Sequence, residues 1–505
     1  MIRGFISVSL FALYPILVLV NANIDEIIFA DAFFPIFLSL FISIAAYFVL
    51  FKITQNQNKS ALFIIISLFF FFYYGHIFHG YFSGKHLGEL TIGRHRFFFP
   101  LWCFAYFVSC IVLIKTRKAL DLFLKFLSYL FLILTISILI PVLNSLNPIG
   151  KGYIELNQKE DLENISVKEN SYGMENKPDI YYIVLDGYAS FETLMDFYQF
   201  DNSDFYESLN DRGFYIAEES VANHSYTYLS LSSTLNMMYM NWMAENNSER
   251  QIKIKEIGDT IADNKVAKLL KLNGYEYITF DSGYSTSSRS SISDQNVSCS
   301  SLSEFDRTLI KTTILDPFFL YGGVREMIMC QFESLKKNFS SNSKFVFTHI
   351  VAPHPPFVFN SIGGKVGMNS GLNPWADKNA YSEQLQFVNN KVIQIIDHIK
   401  AQNVNNDFIM IIQSDHGPAS LGTEEMLNPS DDLIKERMRI LNVYYVPEKI
   451  KKQLYKNISP VNTFRLILSE VIGIDLPLLP DQSFFTPIGQ EKLIFENVTT
   501  IASYE

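Results

Sequence analysis

Residues 179–187, with the sequence DIYYIVLDG, form an unbroken apolar run that ends in an aspartate and a glycine. A run of this length, rich in β-branched and aromatic side chains and without polar alternation, predicts a strand buried on both faces. Strands of this kind belong to parallel sheets that helices cover on both sides. The run therefore predicts an α/β domain with a mostly parallel sheet, and it places Asp186 just beyond the end of a strand.

Short β-rich runs alternate with segments of helical period after this strand. Further strands are predicted at Tyr275–Phe280, Lys344–Val351, Asp407–Gln413 and Asn442–Val446, and helices at Ser203–Arg212, Thr260–Asn273 and Tyr381–Gln402. In open sheets of this class, ligands bind beyond the carboxyl ends of the strands. We therefore expect the functional site at that edge.

Three predicted strand ends carry side chains that bind metal ions. Asp186 follows the first strand, His354 lies in the segment APHPP after the third, and Asp415 and His416 follow the fourth. Carboxylate oxygens and imidazole nitrogens are suitable ligands for Zn²⁺ or Mn²⁺. An aspartate at a strand end is also a common turn residue, but the three fragments together favour a metal site.

A hydroxyl-rich segment, NHSYTYLSLSSTLNM at residues 223–237, leads into an apolar helix between the first and second strands. A hydroxyl at a helix start beside a divalent cation is a candidate nucleophile, because the ion and the helix dipole both stabilise its alkoxide. The alternative is that these hydroxyls are ordinary N-caps.

Apolar residues crowd into the first 143 positions of this chain of 505 residues. Five stretches approach the length of about 20 residues that a membrane-crossing helix needs. They are Phe5–Val20, Ala32–Phe51, Ala61–Phe82, Phe97–Ile114 and Leu122–Leu143. The cations that predict the cytoplasmic side are Arg3, Lys52, Lys59, Lys115, Arg117 and Lys118. A cleaved signal peptide is the alternative interpretation of the first stretch.

The connection between residues 75 and 96 departs from this charge pattern, because it places Lys85, Arg94 and Arg96 on the outer side. One explanation is an anionic lipid head group bound at the outer leaflet, for which arginine is well shaped. The other is an interfacial loop whose cations lie among the head groups.

Composition divides the chain into three parts: a transmembrane helical bundle at 1–143, a polar linker at 144–178 and an extracytoplasmic catalytic domain at 179–505. The net charge of −10 arises mainly after residue 143. No basic surface is expected, which excludes nucleic acid as a partner. Among the four cysteines, Cys103 and Cys110 lie in an apolar segment, while Cys299 and Cys330 form either a disulfide or two free thiols.

These motifs, in this order, resemble the membrane-anchored branch of the alkaline phosphatase and sulfatase superfamily, to which lipoteichoic acid synthases and lipid A phosphoethanolamine transferases belong. The resemblance covers the whole architecture, from five spans to an outward domain. Its most specific elements are VLDG at 184–187, SDHG at 414–417 and SPVNTFR at 459–465.

The resemblance implies roles for individual residues. Asp186, Asp415 and His416 bind one divalent metal ion, Mn²⁺ or Zn²⁺, and Thr227 is the nucleophile that carries the phospho-group covalently. His354 contacts the substrate phosphate or assists the leaving group.

Three features of the sequence depart from the family pattern. No Cys-x-Pro-x-Arg or Ser-x-Pro-x-Arg sequence lies near Thr227, so the formylglycine nucleophile of true sulfatases is absent. No histidine follows His416, whereas the phosphoethanolamine transferases have one there. Asp186 stands where lipoteichoic acid synthases have glutamate, a change that keeps a carboxylate ligand.

The sequence thus predicts a phospho-group transferase, of the phosphoglycerol or phosphoethanolamine type, in the bacterial inner membrane. Its donor is a membrane lipid or a lipid-linked molecule, and its acceptor is an envelope glycan or lipid. Two alternatives stay open: a phosphoester or sulfuric ester hydrolase of the same fold, and a catalytically silent envelope scaffold.

Overall fold

The computed structural model describes residues 2–24, 29–83, 85–87, 90–116, 120–145, 177–245, 254–300, 302–319, 323–339, 342–366, 373–403, 408–422, 425–487 and 493–504. The chain forms two compact units. The first comprises Met1–Ile149 and Leu302–Gly323, and the second comprises Gly150–Ser301 and Val324–Glu505. Most of the predicted linker, 144–178, lies outside the described residues. The predicted catalytic domain spans 179–505, but its residues 302–323 belong to the first unit.

The helices of the described residues are α1 (Ile2–Ala22), α2 (Phe33–Thr54), α3 (Gln57–Phe72), α4 (Tyr74–Ile77), α5 (His95–Lys115), α6 (Asp121–Ser145), α7 (Phe191–Tyr198), α8 (Ser203–Asp211), α9 (Thr227–Asn236), α10 (Trp242–Glu245), α11 (Ile254–Ala262), α12 (Lys265–Leu272), α13 (Glu304–Thr312), α14 (Val324–Ser334), α15 (Lys378–Gln402), α16 (Asp431–Met438), α17 (Glu448–Lys451), α18 (Pro460–Val471) and α19 (Thr499–Ala502).

The strands are β1 (His86–Leu87), β2 (Leu90–Thr91), β3 (Asp179–Leu185), β4 (Tyr215–Ile216), β5 (Glu276–Phe280), β6 (Gln295–Val297), β7 (Lys344–Ile350), β8 (Phe408–Gln413), β9 (Asn442–Tyr445), β10 (Phe484–Phe485) and β11 (Glu496–Asn497).

The first unit contains the predicted membrane spans. Four segments are long and apolar enough to cross a membrane: Arg3–Ala22, Phe29–Thr54, His95–Lys115 and Asp121–Asn144. A fifth span arises where Gln57–Phe72 and Tyr74–Phe82 are taken together across a bend of 49°. The predicted N-terminal bundle of apolar helices is therefore confirmed with four to five candidate spans, and the predicted third span is the one that is bent near Tyr73.

A seven-stranded sheet forms the centre of the second unit, with the strand order β4-β9-β8-β3-β7-β5-β6. Strands β3, β5, β6, β7 and β8 run parallel, while β9 and β4 add an antiparallel edge. The predicted mostly parallel sheet is thus confirmed. Strand β3 lies between β7 and β8, and six of its seven residues are buried, as its unbroken apolar run predicts.

Two local predictions were incomplete. The single helix predicted at Thr260–Asn273 is wrong, because two helices, α11 and α12, cover that range. Asn264 starts the second of them, since its side chain accepts a hydrogen bond from the backbone N–H of Ala267. Strands β4 and β6 were not predicted, because two or three residues are too few to show a period of two.

A disulfide joins Cys299 and Cys330 in the second unit. Of the two alternatives left open by the sequence, a disulfide or two free thiols, the structure has the disulfide. Cys103 and Cys110 of the first unit are free, and Cys110 is buried as a small core side chain.

Candidate active site

The carboxyl ends of β3 and β8 bring the predicted metal ligands together. These two strands are parallel neighbours in register, with Val184 paired to Gln413, so the residues that follow each strand meet at one edge of the sheet. Asp186, Asp415 and His416 are all buried, and each offers a ligand atom within 4.8 Å of the others. The three residues that the sequence analysis selected as ligands therefore form one cluster.

Hydrogen bonds fix the orientation of this cluster. The backbone N–H of Gly187 donates to Asp415 Oδ1 over 3.2 Å, and the Ser230 hydroxyl donates to the Asp415 carbonyl over 2.7 Å. Gly187 has a φ of +74°, and a Cβ at this position would lie 2.5 Å from the Trp375 ring. Glycine is thus required after the first ligand for both backbone conformation and space.

His416 presents its Nε2 atom to the cluster. Its Nδ1 lies 2.9 Å from the Gly417 carbonyl oxygen, which only accepts, so Nδ1 carries the proton. The unprotonated Nε2 lies 3.3 Å from Asp415 Oδ2 and 3.7 Å from Asp186 Oδ1. In this tautomer Nε2 is unprotonated, so its lone pair is able to bind a cation.

Thr227 lies at the same point. Its hydroxyl oxygen is 3.0 Å from His416 Nε2, and its residue is 7% exposed. Helix α9 begins at Thr227, and the preceding Tyr226 supplies no side-chain cap. The Thr227 hydroxyl is therefore not an ordinary N-cap, since its hydrogen bond is directed across to the His416 ring.

The neighbouring serines, Ser225 and Ser230, are engaged elsewhere. The Ser225 hydroxyl accepts a hydrogen bond from the backbone N–H of Thr486, and the Ser230 hydroxyl donates to the Asp415 carbonyl. Unlike these two serines, Thr227 has its hydroxyl within hydrogen-bonding distance of a side-chain atom of a predicted metal ligand.

The surroundings of the cluster shift the pKa values of its two carboxyl groups in opposite directions. Burial, together with the nearby negative charge of Asp186, raises the pKa of Asp415 to about 6. Burial also opposes ionisation of Asp186, but the His354, His349 and His416 imidazoles outweigh it and hold the pKa of Asp186 below its usual value. Burial and the Arg437 cation lower the pKa of His416, so this imidazole is neutral, as metal binding requires.

Buried polar atoms without a hydrogen-bond partner show that the cluster is incomplete in itself. Asp186 Oδ1, Asp415 Oδ2 and His349 Nε2 are such atoms among the described residues. Buried carboxylate oxygens of this kind cost free energy unless a cation or donor reaches them. The residues present therefore fit a divalent metal ion.

Two further residues of the site were missed by the sequence analysis. His349, within β7, lies fully buried with its Nε2 atom 3.3 Å from Asp186 Oδ2, and its Nδ1 atom is 2.8 Å from the Ser287 hydroxyl. Arg437 is buried and donates to the carbonyl oxygens of Ser225 and Gly417. The available signal for His349 was a histidine near the carboxyl end of a predicted strand, KFVFTHI at 344–350.

His354 lies at the edge of this cluster. Its backbone N–H donates to the Asp186 carbonyl over 3.0 Å, and its ring packs edge-on against Trp375 with the centroids 4.7 Å apart. The His354 Nδ1 atom donates to the Pro355 carbonyl, which leaves Nε2 available for a proton. This arrangement is compatible with the predicted role toward the substrate.

A family model described as Sulfatase matches residues 178–473, which is more than half of the chain. No curated protein matches the chain.

Three solved structures resemble the chain at low identity. The C-terminal periplasmic domain of EcEptC from Escherichia coli, in complex with Zn, is 13% identical, with 66% of this chain and 95% of that chain covered and a TM-score of 0.42. Lipoteichoic acid synthase LtaP from Listeria monocytogenes is 14% identical, with 65% and 82% covered and a TM-score of 0.38. The integral membrane lipooligosaccharide phosphoethanolamine transferase A (EptA) from Neisseria meningitidis is 13% identical, with 93% and 95% covered and a TM-score of 0.38.

Proposed function

Because the chain belongs to the sulfatase family, we propose that it is a membrane-anchored, metal-dependent phospho-group transferase with Thr227 as its nucleophile. The observation that carries this proposal is the Thr227 hydroxyl, 3.0 Å from His416 Nε2 within the carboxylate and imidazole cluster. A formylglycine-forming sequence is absent near Thr227, which favours phospho-group transfer over sulfate ester cleavage.

Asp186, Asp415 and His416 would hold one divalent ion, Zn²⁺ or Mn²⁺. When bound, such an ion lowers the pKa of a neighbouring hydroxyl and neutralises charge on the phospho-group. His349 Nε2 lies 3.3 Å from Asp186 Oδ2 at the edge of this ligand set, and the Ser287 hydroxyl orients the His349 ring through Nδ1.

Thr227 carries out the first step. Its hydroxyl proton passes to solvent, and its oxygen attacks the phosphorus of a phosphodiester. A bond forms between the Thr227 oxygen and phosphorus, while the bond from phosphorus to the leaving alcohol breaks. The start of α9 assists, because the N-terminal end of a helix stabilises negative charge. His354, protonated at Nε2, gives its proton to the leaving alkoxide.

The second step reverses these roles. The hydroxyl of an acceptor gives its proton to His354 and attacks the phosphothreonine, and the bond between Thr227 and phosphorus breaks. Thr227 and protonated His354 are regenerated once Thr227 has taken up a proton from solvent. The acceptor is an envelope glycan or lipid in a transferase, and it is water in a hydrolase.

The apolar helices of the first unit support a lipid or lipid-linked donor, since a soluble donor would not require four to five spans. The transferred group would be of the phosphoglycerol or phosphoethanolamine type. We place the bundle at 1–143, the linker at 144–178 and the catalytic domain at 179–505. The Cys299–Cys330 disulfide supports a catalytic domain outside the cytoplasm of a bacterial inner membrane, because such bonds persist in oxidising compartments.

The proposal is tested with the full chain in lipid nanodiscs that contain headgroup-labelled phosphatidylglycerol and phosphatidylethanolamine. Acid-quenched protein should carry one labelled phospho-group, mapped by peptide mass spectrometry to Thr227. If the protein is a transferase, addition of an alcohol acceptor should increase the amount of labelled acceptor and decrease the amount of labelled phosphate ester released by hydrolysis. A protein with stoichiometric metal that never becomes labelled and releases no labelled product would overturn the proposal.

A further inference from the structure

A second cluster of metal-binding side chains lies in the first unit, away from the strand ends described above. His79 belongs to the short helical turn Phe78–Phe82, His95 begins α5, and Asp316 belongs to Leu302–Gly323. Their nearest ligand atoms, two imidazole nitrogens and one carboxylate oxygen, all lie within 4.8 Å of one another. We propose that these three residues bind a divalent first-row transition metal ion of the Zn²⁺ type. This inference does not depend on the proposed function.

The distances match those between the ligands of a small tetrahedral ion. Asp316 Oδ2 lies 2.8 Å from His79 Nε2 and 3.6 Å from His95 Nε2. Ligands bound at about 2.0–2.1 Å around a tetrahedral Zn²⁺ are separated by about 3.3 Å. The two measured distances fall on either side of this value, so small side-chain adjustments suffice for both imidazoles and the carboxylate to bind one ion.

The His95 ring is held in an orientation that suits a ligand. Its Nδ1 atom lies 3.0 Å from the hydroxyl of the buried Tyr74, which can accept the Nδ1 proton and leave Nε2 unprotonated. The Phe78 ring stacks on it, with the centroids 3.8 Å apart. A hydrogen bond to the second ring nitrogen is the usual outer support of a metal-binding histidine.

Asp316 is brought to the cluster by a tightly packed segment of the same unit. The backbone N–H of Ile314 donates to the Phe71 carbonyl over 2.8 Å. Gly75 allows an unusually close approach, since a Cβ there would lie 1.9 Å from the Lys311 carbonyl oxygen. The carboxylate is therefore fixed beside the two histidines before any ion binds, which reduces the entropic cost of binding.

A plain ion pair explains these contacts less well. The Asp316 oxygen is within hydrogen-bonding distance of His79, but at 3.6 Å it is too far from His95 for a hydrogen bond. An ion would bind both nitrogens and the carboxylate together. The His79 side chain is 35% exposed and that of His95 20%, which leaves room for access and for a water molecule as the fourth ligand. The ion would cross-link residues 302–323 to α5 and to the turn that contains His79.

The test uses the full chain in nanodiscs, stripped with a chelator and then equilibrated with Zn²⁺ alone. Wild-type protein should retain two equivalents of Zn²⁺ per chain, and Asp316→Asn should retain one. In an Asp415→Ala/His416→Ala background, which removes the ligands of the second unit, one equivalent should remain. Addition of His95→Gln or Asp316→Asn to this background should remove it.

The matched control is His76→Gln, which changes a histidine of the neighbouring turn outside the cluster and should leave the Zn²⁺ content unchanged. Co²⁺ substitution in the Asp415→Ala/His416→Ala background gives a second readout, since four-coordinate Co²⁺ has intense visible bands that Asp316→Asn should abolish. Asp316→Asn keeps the size of the side chain. If His95→Gln elutes as an aggregate, the Zn²⁺ content of the Asp316→Asn variant is therefore the result that tests the inference.

Three outcomes would overturn the inference: no Zn²⁺ in the Asp415→Ala/His416→Ala background, a Zn²⁺ content insensitive to Asp316→Asn, or equal loss in His76→Gln. If the wild-type protein retains a single equivalent of Zn²⁺, the variants show which of the two sites holds it. If Asp415→Ala removes that equivalent, the present inference fails and the proposed active site stands. If Asp316→Asn removes it, the metal of the proposed active site is refuted instead.

Discussion

Thr227→Val separates a nucleophile from a structural hydroxyl at the proposed active site. The substitution removes the hydroxyl and keeps the branched shape of a side chain that is 7% exposed. The hydrogen bonding that is lost, of one hydroxyl beside both His416 Nε2 and the Asp415 carboxylate, is worth about 1 kcal/mol. No helix cap is lost, because the Thr227 side chain is not one. Unfolding stability should therefore fall by no more than about 1 kcal/mol.

The effect on turnover should be far larger. Removal of a covalent nucleophile should slow the reaction by at least about 10³-fold, or about 4 kcal/mol of transition-state stabilisation. The assay measures release of 4-nitrophenol from bis(4-nitrophenyl) phosphate by the metal-loaded chain, with Zn²⁺ content and the thermal unfolding midpoint measured on the same preparation. Thr227→Ser, which keeps a hydroxyl, should retain part of the activity.

Thr234→Val is the matched control for Thr227→Val. Thr234 lies in the same helix and is also buried, and its hydroxyl donates to the Ser230 carbonyl over 3.0 Å rather than to a predicted metal ligand. Its stability loss should be comparable, and its turnover should stay close to that of the wild type. Thr227→Val with more than about a tenth of wild-type turnover would refute the covalent mechanism and favour direct attack by water.

Three further predictions follow from the cluster, the disulfide and the topology. Because the pKa of Asp415 is raised to about 6, protons compete with metal below that pH, and calorimetry should show Zn²⁺ affinity falling about tenfold per pH unit there. Unchanged Zn²⁺ affinity at pH 5 would contradict the assignment of Asp415 as a metal ligand. The metal-free protein should show the opposite trend, because its unfolding stability should rise as the pH falls from about 6 toward about 4. The double substitution Cys299→Ser/Cys330→Ser opens a loop with a sequence separation of 31. It should lower the free energy of unfolding by about 3–4 kcal/mol, and a loss below about 1 kcal/mol would contradict a stabilising disulfide at this position. A cysteine introduced at Gly93 should react with an impermeant thiol reagent added from outside the cell, and labelling only from the cytoplasmic side would reverse the proposed topology.

The family model confirms the predicted sulfatase-like enzyme domain, because a match to residues 178–473 covers the motifs at 184–187, 414–417 and 459–465. These motifs could be found in the sequence since each joins a strand end or a helix start to a short, specific group of residues. The roles of Thr227 and His354 stay predictions, as does the headgroup role of Lys85, Arg94 and Arg96.

Apolar periodicity and composition are local properties of the chain. They were sufficient to predict the apolar helices of the first unit and strands β3, β5, β7 and β8. They also located Asp186, Asp415 and His416 at strand ends. The sequence by itself could not pair these ends, because strand order depends on packing between residues far apart in the chain. Only the neighbouring positions of β3 and β8 put Asp186 beside Asp415.

His349 shows most clearly what the tertiary structure decided. Its strand pairs with β3 so that His349 lies opposite Val184, and side chains two residues apart on a strand point to the same face. His349 therefore faces Asp186, and the sequence of β7 alone does not show which residue lies opposite it. The same holds for Asp316, which is separated from His79 by 237 residues. Contacts of this kind depend on which buried surfaces meet, and that is determined by the packing of the whole unit rather than by the pattern of any one segment.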